Sequence, residues 1–385
     1  MSEESTAYDA TVIVVLTGPE AVRKRPGMYI GSVGERGLHH LVFEAAEWAL
    51  EEVIGGAGGR VVVTLTADGG VRIDHDGEAL PVDHDGGGDS LRTRLTVIGG
   101  RARPAGRRSL DGGFATHGLG LSVVNALSSR LTAEVRRDGA RWVLEYERGE
   151  EVAPPTRSGP AGDTGTVITF RPDAEVFEAL EFSFDTLVGH FREVASLNRE
   201  LDITLADDRD PGEPRADRLH FPGGLGEALA EQSCVSPLHP DVIAFEREYA
   251  TMEGTVEVAL RWCDSHEEHV TSYATNRRTD DGGVHELGFR DGLAAAANTY
   301  ARERHILRPT DPDLTPAQLG AGLVAVVSVK VDHPEFLGAR RDFLGNAHVR
   351  ACVAEAVREH LTAWFHGHPA QAAAVLARIS ASPRG

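Results

Sequence analysis

The stretch from Gly112 to Ser128, GGFATHGLGLSVVNALS, constrains this chain more than any other. It opens as a glycine-rich loop and passes at His117-Gly118-Leu119-Gly120 into an apolar helix carrying Leu121, Val123, Val124, Ala126 and Leu127. A glycine loop feeding a helix N-terminus converges backbone N–H groups on an anion. Gly118 and Gly120 lack a Cβ, so backbone can come close to a phosphate there. The same pattern also serves as a plain turn before a buried helix. The rest of the chain decides between the two.

Ahead of that stretch, a polar arm leads to a short strand at Val12–Leu16 and a turn at Gly18-Pro19. The basic run Arg23-Lys24-Arg25 reads as a solvated face. Apolar residues at helical spacing predict a helix over Gly37–Val53. His40 and Glu44 lie four apart on it and share one face, which by itself is an ordinary surface pair. Strands are expected at Arg60–Thr66 and Gly70–His75, followed by a polar turn. Residues 99–113 hold many glycines and arginines and no periodicity, as a functional loop or a disordered insert would.

After the glycine loop, strands at Leu131–Arg136 and Ala140–Arg148 form a hairpin about Asp138-Gly139. A proline-rich loop at Val152–Gly162, a strand at Gly165–Arg171, a helix at Asp185–Asn198 and a strand at Leu201–Ala206 complete the first half. The segment Asp207–Arg218, DDRDPGEPRADR, reads as the linker. The second half offers strands at Glu246–Arg261 and Glu267–Thr275, then a loop at Thr279–His285 and a helix to about Arg304. A strand at Gly322–Val331 and helices at Ala347–Phe365 and Gln371–Arg378 follow. The 385 residues suffice for two domains, placed at 1–217 and 218–385.

A formal net charge of -20 argues against a chain built mainly on phosphate-backbone contacts. Cys234, Cys263 and Cys352 are far apart and odd in number, so no disulfide framework or zinc pair is expected, and the cytoplasm is the expected compartment. There is no run of 18 apolar residues and no signal-peptide pattern, so no membrane is expected.

The segments AVRKRPGMYIG, GERGLHHLVFE, HGLGLSVVNALSSRL, TGTVITFRPD, FPGGL, GGVHELGFR and FLGN, standing in this order, resemble the N-terminal half of the B subunit of DNA gyrase, of the type IIA topoisomerase family and the GHKL group. The resemblance covers nearly the whole chain. It implies an α+β architecture, a GHKL (Bergerat) ATPase α/β sandwich followed by a ribosomal-protein-S5-like transducer domain. It further implies ATP and Mg2+ as cofactors and an ATP-driven homodimer joined through the N-terminal arm, with gyrase subunits and duplex DNA as partners. Glu44 matches the glutamate that deprotonates water and His40 the histidine that orients it. The nucleotide positions carried over are Tyr8, His75, Asp76, Gly77, Pro81, Arg101, His117, Gly118, Leu119, Gly120, Thr166 and Arg341.

The chain departs from the family pattern at the site itself. Trp48 stands where the family has its magnesium-ligating asparagine, and an indole N–H is a donor only. His75 replaces the aspartate that reads adenine, Glu78 an arginine and Ala79 a glycine. Phe114-Ala115-Thr116 replaces Gly-Gly-Leu, and Ala339-Arg340-Arg341 replaces Gln-Thr-Lys, whose lysine meets the γ-phosphate. No cleavage domain is expected after Gly385. Three readings follow: a regulator, decoy or resistance factor with lost or weakened ATP hydrolysis; a working ATPase; or a small-molecule site in a reshaped pocket.

Overall fold

The computed structural model describes residues 18–54, 59–83, 89–98, 120–232, 236–338 and 342–381. Two compact units emerge. The first holds the described residues up to Leu187 together with Thr204–Asp217. The second holds Val188–Ile203 and the described residues from Arg218 onward.

The first unit begins with short helices α1 (Gly18–Lys24) and α2 (Gly27–Ile30) and the long helix α3 (Glu35–Ile54). Strands β1 (Gly59–Leu65) and β2 (Val71–His75), helices α4 (Leu91–Thr96) and α5 (Leu121–Ala126), then β3 (Ser128–Arg137), β4 (Ala140–Glu147), β5 (Glu150–Pro160) and β6 (Gly165–Pro172) follow. Helix α6 (Phe184–Ser196) precedes β7 (Leu201–Asp207) and β8 (Arg215–Leu219). The strands form one sheet in the order β5-β4-β3-β6-β2-β1-β7-β8. Helix α3 packs on β1, β2 and α5. It is buried around most of its circumference, from Leu38 to Val53, where spacing alone marks only one apolar face. Arg23 is not a solvated charge: it bonds the Asp173 carboxylate at 2.7 Å and the Ala126 carbonyl at 3.0 Å.

Two expectations are corrected here. The proline-rich loop at Val152–Gly162 is instead strand β5, paired with β4 through three register shifts. It lies at the sheet edge, where a proline's missing N–H breaks no ladder. The linker Asp207–Arg218 contributes its last four residues to β8. The hairpin turn Asp138-Gly139 takes positive φ at both residues, 53° and 71°, as a two-residue primed turn requires.

The second unit contains α7 (Gly224–Glu231), β9 (Ile243–Tyr249), β10 (Gly254–Trp262), β11 (His269–Ala274), β12 (Arg277–Arg278), α8 (Val284–Glu303), α9 (Pro316–Gly320), β13 (Leu323–Val331), β14 (Phe336–Leu337), β15 (Phe343–Leu344), α10 (Ala347–Gly367) and α11 (Pro369–Ala381). Its main sheet runs β12-β11-β13-β10-β9, with β11 and β13 parallel. The strand expected over Glu246–Arg261 is a hairpin, β9 and β10, broken by a single turn at Ala250–Met252 and Glu253 at φ 48°. Gly288 and Gly292 lie on the α8 face that meets α10. A Cβ at Gly288 would strike the Arg350 carbonyl, and one at Gly292 would come within 2.5 Å of the Ala354 carbonyl. Two glycines one turn apart therefore let α8 and α10 approach backbone to backbone, over a core that includes Trp262, Phe289, Tyr300 and Phe365. Cys352 is a buried free thiol, whereas Cys263 is disulfide-bonded, which corrects the expectation of a chain without disulfides. Cys234 lies outside the described residues.

Candidate functional site

Helix α3 supplies the first half of the site. His40 and Glu44 are both buried, at 8% and 1% exposure, so they are not the surface pair that their spacing alone suggests. His40 Nε2 lies 3.3 Å from Glu44 Oε1. The second carboxylate oxygen, Oε2, accepts the Gly120 N–H at 2.9 Å. Gly120 sits at φ 73° immediately before α5, a conformation that glycine adopts without steric cost. The arrangement ties the helix carboxylate to the last residue of the glycine loop.

One turn further along α3, Trp48 is 3% exposed. Its ring meets His75 edge to face, with centroids 4.9 Å apart and planes at 71°. His75 ends β2, whose inward positions are Val71, Ile73 and His75. It stands directly opposite Thr166 of β6 in the antiparallel register, which places the two side chains on one face of the sheet. Gly77 closes the group from below: a Cβ there would lie 3.3 Å from His75 Nδ1. Burial holds the His75 imidazole neutral, with its pKa pushed down to about 4. Among the described residues, Trp48 Nε1, both His75 ring nitrogens and Thr166 Oγ1 are buried without a hydrogen-bond partner. Each such group forfeits about 1–3 kcal/mol of hydration, so their concentration on three neighbouring residues singles out a candidate site.

Asp76 and Pro81, also carried over by the resemblance, make other contacts. The Asp76 side chain is exposed, and its carboxylate accepts the Arg60 N–H at 2.7 Å. The Pro81 carbonyl accepts the Leu91 N–H at 2.9 Å, at the start of α4. Tyr8, Arg101, His117, Gly118, Leu119 and Arg341 lie outside the described residues, as do Phe114–Thr116 and the strand expected at Val12–Leu16. Sequence reading passed over Arg137, whose guanidinium bonds the Ala79 carbonyl. The only available signal was strand alternation, which sends Arg136 and Arg137 to opposite faces.

The residues present do not fit a protein-held magnesium ion at Trp48. Magnesium takes hard oxygen ligands, the indole offers none, and no group of three His, Cys, Asp or Glu suited to a metal occurs among the described residues. In the second unit several arginines are engaged within the unit. Arg278 pairs with Asp280 at 2.8 Å and Arg302 with Asp313 at 2.5 Å. Arg277 lies over the Phe336 ring and Arg304 over the Tyr300 ring; Arg340 lies outside the described residues. No helix among the described residues is long and apolar enough to cross a membrane.

Comparison with known proteins agrees with this geometry. Residues 34–176 match the family model of histidine kinase-, DNA gyrase B- and HSP90-like ATPases, and residues 224–384 match that of DNA gyrase B. The DNA gyrase B protein of Streptomyces coelicolor is 39% identical over 97% of this chain, and the novobiocin-resistant one of Streptomyces niveus is 40% identical over 96%. The chain spans 57% of the length of each. The 43K ATPase domain of Thermus thermophilus gyrase B, solved with an aminocoumarin, superimposes with a TM-score of 0.75 at 30% identity, covering 94% of this chain and 93% of that one. With both family models in sequence order on an α+β fold of the GHKL ATPase and transducer type, the chain belongs to the DNA gyrase B family and corresponds to its ATPase and transducer region.

Proposed function

We propose that this chain is a gyrase-B-type ATPase and transducer region whose ATP hydrolysis is weakened or lost. It acts through assembly, as a regulator, decoy or resistance factor for gyrase. The observation that carries this reading is the buried indole of Trp48 packed on His75. By the resemblance, that ring stands where the family has an oxygen ligand to the metal that neutralises the β- and γ-phosphates. The loss of an adenine-reading carboxylate at His75 points the same way. With each lost charged hydrogen bond worth about 1.5–3 kcal/mol, nucleotide affinity falls by about 10²–10⁴-fold relative to a site that retains both.

A second reading, a working ATPase, is favoured by Glu44 and His40, which remain paired at 3.3 Å as a general base and its orienting partner would be. Calorimetric titration of the purified protein with ATP, with and without magnesium, separates the two, together with steady-state hydrolysis by the unmodified chain and by Glu44→Gln. Weak, magnesium-insensitive binding without Glu44-dependent turnover supports the first reading. Magnesium-dependent turnover abolished by Glu44→Gln establishes the second.

A further inference from the structure

Glu44 and Gly120 are 76 residues apart, and the bond between them joins helix α3 to the end of the glycine loop. Gly120 holds φ 73° and ψ -171°, a region of backbone space that essentially only glycine populates. Crowding does not explain the glycine: among the described residues no atom lies within 4 Å of where its Cβ would stand. The requirement is the backbone conformation itself. It aims the Gly120 N–H at α3 while the Gly120 carbonyl accepts the Val123 N–H at 3.2 Å.

On the other side of the bond, Glu44 is 1% exposed. A carboxylate is costly to bury unless it is paired or hydrogen-bonded. The Gly120 N–H meets that need at Oε2, at 2.9 Å, and His40 stands 3.3 Å from Oε1. A backbone N–H bonded to a carboxylate makes a stronger contact than one bonded to a neutral oxygen. The chain therefore already supplies an anion to this glycine N–H. An N–H carries one hydrogen, so a phosphate oxygen arriving at Gly120 must displace Oε2 or share that hydrogen with it. It also meets a like charge held out of water, where repulsion is stronger than at a wet surface.

We propose that the Glu44–Gly120 bond is an autoinhibitory contact: the helix carboxylate occupies the glycine N–H that a phosphate would use, and a phosphate-bearing ligand gains the site only by breaking that bond. The proposal rests on the reading above that this is a nucleotide-type site with weakened ATP use, and it names what holds that site shut. Trp48 and His75 stand for groups that the site lacks. Glu44 is a group that is present and in the way, so its effect is undone by removing its charge.

Calorimetric titration of the intact chain with the β,γ-imido analogue of ATP, which is not hydrolysed, tests this. It is run without magnesium, so that no cation screens the two charges. Glu44→Gln keeps the shape of the side chain and removes its charge, and Glu44→Ala removes the group altogether. Thermal melts show which of the two is folded, and either suffices. The folded variant should bind the analogue at least about tenfold more tightly than the unmodified chain does. Adenosine, which carries no phosphate, should gain less than about threefold from the same substitution, which assigns the gain to the phosphates. A gain of less than about threefold for the analogue, an equal gain for adenosine, or no binding of the analogue by any of these proteins at millimolar concentration would each overturn the inference. The weakened-hydrolysis reading is judged by turnover of the unmodified chain, so either can fail while the other stands.

Discussion

Replacing Trp48 by alanine separates an indole that fills the site from one that merely borders it. The ring is almost fully buried between α3 and the β2 end of the sheet. An aromatic side chain of this kind buries about 150–250 Å², which at about 25 cal/mol/Å² amounts to about 4–6 kcal/mol. Relaxation around the cavity brings the usual cost of a buried aromatic-to-alanine change to about 3–5 kcal/mol. One term opposes this. The indole N–H is buried without a partner, and deleting it relieves about 1–3 kcal/mol. The net expectation is a loss of about 2 kcal/mol, within a range of about 0–4, for Trp48→Ala. Trp48→Phe retains most of the apolar contact and deletes the N–H, so it should be within about 1 kcal/mol of the unmodified chain or more stable. Two units need not melt together. The measurement is therefore calorimetric melting, with hydrogen exchange on α3 and β2 to assign the transition. A Trp48→Ala protein more stable than the parent would refute the packing argument, as would a Trp48→Phe protein that loses as much as Trp48→Ala.

Acid should destabilise the chain through its buried histidines. Burial holds His75 and His285 at about 4 against about 6.5 when unfolded, so between those values the unfolded chain binds protons that the folded chain refuses. Stability therefore falls as pH drops through that window, by about 1.4 kcal/mol per histidine at pH 5.5 and about 3 near pH 4; urea midpoints whose pH slope is unchanged in His75→Gln would contradict this. Light scattering should find the oligomeric state indifferent to ATP, and ATP-driven dimerisation would count against the weakened site. Duplex DNA should bind weakly and lose affinity steeply with salt, because Arg278 and Arg302 are already paired; tight binding at physiological salt that survives Arg277→Ala with Arg278→Ala would be inconsistent with that.

Local pattern carried much of the fold. The apolar spacing from Leu38 to Leu50 announces α3, and Asp138-Gly139 announces its hairpin because few residue pairs adopt positive φ twice. Strand β5 was hidden because Pro154, Pro155 and Pro160 are loop signals in sequence, and only its place at the sheet edge makes them acceptable. The break between β9 and β10 was hidden for the opposite reason: Glu253, a residue with no turn preference, takes the left-handed conformation. At the site, spacing put His40 and Glu44 on one face but said nothing of their burial. Burial arises from the sheet beneath α3 and from α5, and those contacts join residues distant in sequence.

The same distinction bears on how the site should be interpreted. Spacing and resemblance identify Trp48 and His75 as departures one at a time, a lost ligand and a lost carboxylate. The structure brings the two together, because their rings touch and Thr166 stands across the strand pair. Around them the close-packing devices are intact: a Cβ at Gly165 would strike the His75 carbonyl, so the backbone of β6 still comes as near to β2 as glycine permits. A chain drifting without constraint would be expected to lose such steric requirements as readily as its polar ones. Here the backbone frame is close-packed, and the buried hydrogen-bonding groups inside it are an indole, an imidazole and a hydroxyl. Local rules broken inside a consistent frame point to a site with its own requirement.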